Sequence, residues 1–422
     1  MSTSARLARR LGFADAVIIG LASMIGAGVF VAFAPAAESA GSWLLVGLGI
    51  AATVALCNAL STAQLAAAYP TAGGAYLYGR ERLGEWPGFL AGWGFVVGKT
   101  ASCAAIALAF AAYVAPEGWE RPVAAAATFA LATVNSLGIT RTSAVARVIV
   151  AFVIVVLALV IVAGFTSISS PVSSGAMPVP LLPDSPDALG ILQSAGLLFF
   201  AFAGFARVAT LGEEVRDPAR TIPRAILTSL AIVLLLYGLL SVALLSVLGA
   251  QVTAGADAPL SELVEAAGWT WAAPLVIAAA AVASLGSLLA LLAGVSRTAL
   301  AMARHDDLPR GLAAVNSRLS TPVRAELLIA GIVCVLVLTV DLREVIGFSS
   351  FGILLYYMVA NASAFTQPAA DRRYPRVVSV IGALGCGVLV VTLPWQSITA
   401  GIVVLLVGVA YRLLRMWWIR RA

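Results

Sequence analysis

A chain of 422 residues that is 61% hydrophobic and only 11% charged lacks the polar surface a soluble fold needs, since soluble domains carry about 25% charged residues. Its net charge of +6 could point to nucleic acid, but most of the basic residues fall in alternate loops, so no nucleic-acid partner is expected. The apolar residues come in blocks of roughly 20, the length that crosses bilayer hydrocarbon at about 1.5 Å per residue, which makes a lipid bilayer the expected surroundings.

Twelve such blocks follow in chain order, near 14–35, 43–67, 89–114, 122–139, 144–166, 190–212, 225–249, 270–296, 323–340, 344–365, 377–394 and 397–414. The fourth, ninth, eleventh and twelfth are the shortest. Long unalternating blocks exclude a β-barrel and predict an all-α integral membrane bundle of twelve transmembrane helices in a single domain. With the N-terminus placed inside, every basic residue except Lys99, Arg121, Arg207 and Arg343 falls on the inner side. This asymmetry predicts a multi-pass protein of the cytoplasmic membrane with both termini in the cytoplasm. Basic residues before an apolar stretch also suit a secretory signal, but the first block is too long for one.

Cys57, Cys103, Cys334 and Cys386 all lie inside predicted spans without metal-site spacing, and read as small apolar fillers. The only histidine, His305, sits in Arg304-His305-Asp306-Asp307 and reads as a solvated loop side chain. No HExxH, CxxC, GxSxG or P-loop pattern occurs, so no metal, cofactor or enzymatic activity is expected.

Two spans are interrupted. The first carries Gly26-Ala27-Gly28 and the sixth carries Ala203-Gly204 within Phe199–Phe205. They are five spans apart, and a unit of five helices starts its repeat on the opposite membrane face. Matched glycine breaks in two inverted halves point to a midplane binding site. The alternative is that these glycines only let helices pack closely.

A broken helix exposes N–H groups of one half and C=O groups of the other, which are costly in a low-dielectric interior unless paired. A zwitterion satisfies both, its carboxylate at a half-helix N-terminus and its ammonium on freed carbonyls. This predicts an α-amino acid as the small-molecule substrate. Its carboxylate would meet the N–H groups of Ala27 and Gly28, beside Ile25 and Gly26. Its amine would meet carbonyls around Phe199, Phe200 and Phe202, beside Ala203 and Gly204, with Phe202 and Phe205 walling the side-chain pocket. No acidic residue lies in either broken stretch, which favours neutral or apolar amino acids.

Lys99 is the only lysine and lies mid-way along the third span. A charge at that depth costs at least about 2.5–3.5 kcal/mol and marks a functional position. Lysine, unlike arginine, loses its proton when desolvated, which makes Lys99 a candidate proton carrier or a fixed cation in the substrate path. A structural ion pair is the alternative. A sodium site would instead draw on Ser284 and Ser287, which share one face of the eighth span, with carbonyls of Ala22 and Ile25. The serines equally suit helix packing.

Several of these segments together resemble the amino acid–polyamine–organocation superfamily of permeases. They are Gly26-Ala27-Gly28-Val29-Phe30, then Tyr69-Pro70-Thr71-Ala72-Gly73-Gly74-Ala75-Tyr76, then Glu213-Glu214-Val215-Arg216-Asp217-Pro218 with Ile222-Pro223-Arg224. The last resembles the signature of that family's bacterial cationic-amino-acid-transporter-like branch. The resemblance covers nearly the whole chain. It implies two inverted five-helix repeats, about 14–166 and 190–365, with two extra helices at about 377–414. It implies a permease working by alternating access, with proton symport first. Sodium symport, amino acid exchange and polyamine or organic-cation transport are the alternatives. It matches Ala27 and Gly28 to the carboxylate turn, Phe199, Phe200 and Phe202 to the amine stretch, and Phe205 to an aromatic gate. Glu213 and Glu214, with Arg207 nearby, become cytoplasmic gate candidates or simple helix-end ion pairs. Some proton-coupled relatives carry a lysine in the fifth span, where this chain has Val153. A major-facilitator transporter also has twelve spans, but the short loop after span six and the five-span offset fit it less well. The sequence leaves the oligomeric state open.

Overall fold

The computed structural model describes residues 11–69, 73–137, 143–169, 187–209, 215–316 and 321–421. Glu213, Glu214 and the Pro70–Ala72 part of the glycine-rich turn lie outside the described residues. Among those described, the regular structure is all helical apart from a single backbone bridge between Leu11 and Val215.

The first predicted span is three helices, α1 (Phe13–Met24), α2 (Gly28–Val31) and α3 (Phe33–Ala40). α4 (Leu44–Ala68) leads through the glycine turn to α5 (Gly74–Leu83), a short helix that the hydropathy pattern did not reveal. α6 (Glu85–Val114), α7 (Glu120–Ser136) and α8 (Ser143–Ser169) complete the first half. The sixth span begins with α9 (Ala188–Phe202), tightens to a 3-10 turn at Ala203–Phe205 and ends in α10 (Ala206–Ala209). α11 (Pro218–Val247) follows. Two short helices, α12 (Gly249–Gly255) and α13 (Pro259–Ala266), come next. α14 (Ala273–Arg304), α15 (Val323–Thr339), α16 (Leu342–Phe365), α17 (Arg376–Thr392) and α18 (Trp395–Arg421) finish the chain.

Nine described segments are long and apolar enough to cross a membrane. Helices α7, α15 and α17, each 17 residues, stand where the fourth, ninth and eleventh blocks were predicted. The large apolar residues left on the surface, such as Leu235, Val335, Leu384 and Leu406, project from these long helices, as expected of surfaces that face lipid.

The packing repeats with an offset of five spans. α1 packs on α11, and α9 packs on α4; α6 packs on α16, and α14 packs on α8. The pairs that map onto themselves under that offset, α4 with α11 and α6 with α14, are also in contact. Small residues let these helices approach closely: a Cβ on Gly98 would meet the Gly352 Cα at 3.1 Å, where α6 crosses α16. The two interrupted segments lie together in the middle of the bundle.

Candidate functional site

Helix α1 stops because Ile25 leaves the helical region, with φ −81° and ψ 54°, and Gly26 and Ala27 form a turn before Gly28 restarts the helix. Ala27 contributes no side-chain cap; Phe30 N–H donates to Ala27 C=O at 2.9 Å, and the N–H groups ahead of it precede any intrahelical acceptor. That half-helix runs on through a bend at Ala32, held by Ala32 N–H to Gly28 C=O at 2.9 Å and Ala36 N–H to Ala32 C=O at 3.3 Å. Residues Ile25, Ala27 and Gly28 are buried.

The sixth span changes pitch less abruptly. Phe199, Phe200 and Phe202 remain inside α9, and only Ala203, Gly204 and Phe205 tighten into the 3-10 turn. The two breaks touch. A Cβ on Gly204 would overlap the Ser23 carbonyl, and one on Gly28 would sit 2.8 Å from the Ala201 Cα. Glycine at these two positions is therefore what lets the spans meet backbone to backbone.

Side chains from three other spans supply donors to the carbonyls at the breaks. The Tyr237 hydroxyl of α11 donates to Met24 C=O at 2.7 Å and also lies 3.3 Å from Ala201 C=O. The Tyr357 hydroxyl of α16 donates to Ala203 C=O at 3.3 Å. The Lys99 ammonium of α6 donates to the same Ala203 oxygen at 3.3 Å. Tyr113 does the same for Phe30 C=O at 3.0 Å. Lys99 is 8% exposed, so it does not reach an interface. Buried polar groups pay a desolvation penalty that only such partners offset.

Aromatic rings enclose this region. Phe205 stacks on Tyr357 with centroids 4.9 Å apart, Phe199 meets the same ring edge-on at 5.7 Å, and Phe202 tilts against Tyr237 at 5.2 Å. Tyr237 and Tyr357, the donors that cap the breaks, were not singled out in the sequence. A lone tyrosine inside an apolar block gives no periodic or motif signal.

Of the sodium-site residues, the Ser287 hydroxyl donates to Ala22 C=O at 3.3 Å, while the Ser284 hydroxyl is buried with no partner among the described residues. Ala22 thus lies one turn before the break, against α14. Arg207 is half-buried in α10.

A second polar centre lies where α5, the start of α6, the segment after α14 and the end of α18 converge. Asp307, 4% exposed, accepts from the Tyr76 hydroxyl at 2.8 Å, the Arg80 guanidinium at 2.8 Å and the Arg412 guanidinium at 2.7 Å. Arg412 also reaches Glu85 at 3.2 Å and lies over the Trp86 and Phe89 rings, 4.8 Å from each centroid. Arg415 adds a bond to Asp306 at 2.6 Å. Burial first, and the Asp307 carboxylate second, push the Tyr76 phenol well above its ordinary value, so it stays a donor. His305 is exposed, as read from the sequence, but Asp307 two residues on is not, because α5 and α18 close over it. Neither element was legible as a partner of this loop.

The profile of the amino acid permease family matches residues 11–410. An uncharacterized transporter of Mycobacterium tuberculosis is 56% identical over 418 residues, covering 99% of this chain and 93% of that protein. A chloroplastic cationic amino acid transporter of Arabidopsis thaliana is 30% identical over 435 residues, covering 94% of this chain and 72% of the relative. A branched-chain amino acid permease of Bacillus subtilis is 27% identical over 433 residues, covering 95% and 92%. A match over nearly the whole chain, together with two helix breaks meeting inside a membrane bundle, places this chain in the amino acid permease family of the amino acid–polyamine–organocation superfamily.

Proposed function

We propose that this permease is a secondary active transporter that moves amino acids across the cytoplasmic membrane by alternating access, coupled to protons. The observation that carries the proposal is the meeting of the two breaks, where the Met24, Ala201 and Ala203 carbonyls accept from side chains of other spans. Polar backbone at mid-bundle is tolerated in a membrane only where it is buried in protein or serves a site. In this reading the substrate carboxylate docks on the N–H groups of Ala27 and Gly28 at the start of the half-helix. The ammonium docks on break carbonyls of span six, in the stretch Phe199–Gly204. Phe202 and Phe205 bound the side-chain space.

The offset-of-five packing supports two inverted repeats, about 14–166 and 190–365, rocking about this point. The charge asymmetry of the loops supports cytoplasmic termini, which puts the Asp307 centre on the inner face. Opening inward then requires the bonds around Asp307 to break, with Glu213, Glu214 and Arg207 as further gate candidates.

Lys99 is the proposed proton site: a titratable cation, buried, hydrogen-bonded to the span-six turn itself. Movement of that turn between states changes its partner and so its hold on the proton. A sodium-coupled mechanism is the second reading, favoured by the unpartnered Ser284 hydroxyl beside Ser287 and the Ala22 carbonyl. The relatives' names span cationic and branched-chain amino acids, and both substrate classes enter the test. Purified protein in liposomes, with pH and sodium gradients imposed separately, should accumulate labelled amino acid under the pH gradient alone. Accumulation under sodium alone would replace the proton by sodium, and accumulation under neither would remove the symport reading.

A further inference from the structure

We propose that Lys99 is the charge filter of the binding site, so that this permease accepts amino acids with uncharged or acidic side chains and rejects lysine and arginine. The inference rests on the transport reading above and names the substrate class of that same site.

Three observations carry it. First, Lys99 stands at the breaks: its ammonium donates to the Ala203 carbonyl, in the 3-10 turn whose Gly204 lies against the Ser23 carbonyl of α1. Second, among the described residues no counter-charge accompanies it. Among the described residues its hydrogen-bond partner is a neutral carbonyl, and the buried carboxylates are Asp307 and Glu326. Asp307 is spent on Tyr76, Arg80 and Arg412, and Glu326 accepts from Ser136. Third, among the described residues the rings and hydroxyls around the breaks offer no carboxylate to a second cation. Phe199, Phe202, Phe205 and Tyr357 present rings to one another, and the tyrosine hydroxyls are committed to the Met24 and Ala203 carbonyls.

Charge then decides between substrates. A neutral zwitterion brings one carboxylate and one ammonium, and with Lys99 the site carries one excess positive charge. A lysine or arginine substrate adds another, among side chains that are buried in the bundle. At a separation of about 8 Å and an effective dielectric of about 20, that repulsion lowers affinity about thirtyfold. An acidic side chain feels the opposite sign. Aromatic rings offer a cation some attraction through their faces, but the Tyr357 face is already covered by Phe205.

The test is a binding and uptake panel on the full-length protein, using labelled leucine, glutamate and arginine, with the Lys99→Met, Lys99→Ala and Lys99→Arg variants alongside. Binding is read in detergent by scintillation proximity and uptake in liposomes under a pH gradient. The expected result is leucine bound and moved by the unaltered protein, with arginine bound about thirtyfold more weakly. Lys99→Met and Lys99→Ala should narrow that ratio towards one in the binding assay, while Lys99→Arg, which keeps the charge, should preserve it. If the unaltered protein binds arginine as well as leucine, the filter is overturned while the transport reading stands. The same holds if Lys99→Met and Lys99→Ala, shown monodisperse by gel filtration, leave the ratio unchanged. If no amino acid binds or moves, the transport reading fails and the filter with it.

Discussion

The Tyr237 hydroxyl of α11 donates to the Met24 carbonyl across 2.7 Å, joining the seventh span to the last turn before the first break. Its ring also packs against Phe33 beyond the break and Phe202 ahead of the second one, at 6.1 and 5.2 Å. One fully buried side chain therefore holds both interrupted segments.

Tyr237→Phe keeps the ring and removes only the donor, so it leaves a buried carbonyl unsatisfied at a cost of about 1–3 kcal/mol. Thermal unfolding in detergent should show that loss, and substrate affinity should fall with it, because the turn at Ile25–Ala27 is no longer fixed. An unchanged unfolding midpoint with unchanged affinity would show that the bond contributes nothing to the site.

The Asp307–Arg412 pair ties the segment after α14 to the end of α18 across 105 positions of sequence, with both side chains about 95% buried, at 5% and 6% exposure. Breaking a buried pair by removing one partner strands the other charge. Arg412→Met or Asp307→Asn should each destabilise by about 3–5 kcal/mol, and the double variant by less than the sum of the two. Denaturant or thermal unfolding of the four proteins closes the cycle. Additive losses would mean that the two groups act independently, with Tyr76 and Arg80 holding Asp307 by themselves.

What the sequence disclosed, and what it hid, divides along physical lines. Blocks of apolar residues are a one-dimensional signal, and the helices α4, α6 and α16 begin and end close to the predicted limits. The break at Gly26–Gly28 was equally legible, because glycine pairs disturb a helix locally. The break at Ala203–Gly204 was legible in place but not in form: a 3-10 turn still bonds most of its backbone, which composition alone does not distinguish from full unwinding. Tyr237, Tyr357 and Asp307 were hidden for a different reason. Their roles come from partners 213, 154 and 105 residues away, and no local pattern encodes such pairings. Lys99 stands out because it is the only lysine, whereas its pairing with Ala203 has no local signal.

Gly204 tests whether the contact between the breaks is essential. Its absent Cβ would fall on the Ser23 carbonyl, which is backbone and cannot swing away. Gly204→Ala should therefore force the spans apart, destabilising by about 1–3 kcal/mol and abolishing uptake. Gly238→Ala is the control. That glycine lies within α11 with nothing within 4 Å of the added atom, so the change should be neutral or stabilise by about 0.5–1 kcal/mol. Equal tolerance of both substitutions in an uptake assay would mean that the close approach of spans one and six is incidental.

Coupling rests on Lys99 and separates from selectivity in a different assay. If the proton rides on this ammonium, Lys99→Met should end accumulation driven by a pH gradient while sparing exchange of labelled for unlabelled substrate at equal pH, which needs no proton to move. The argument is one of linkage: a gradient can do work on the substrate only through a group whose proton occupancy differs between the states that face each side. The broken stretches of the two spans carry no acidic side chain, Asp15 at the start of α1 and Glu38 in α3 are each paired with an arginine, and the only histidine is exposed on the segment after α14. Should Lys99→Met still concentrate substrate in response to pH, the proton must travel on another group. Accumulation that follows sodium and is lost in Ser284→Ala would then assign the drive to the oxygens of Ser284, Ser287 and Ala22.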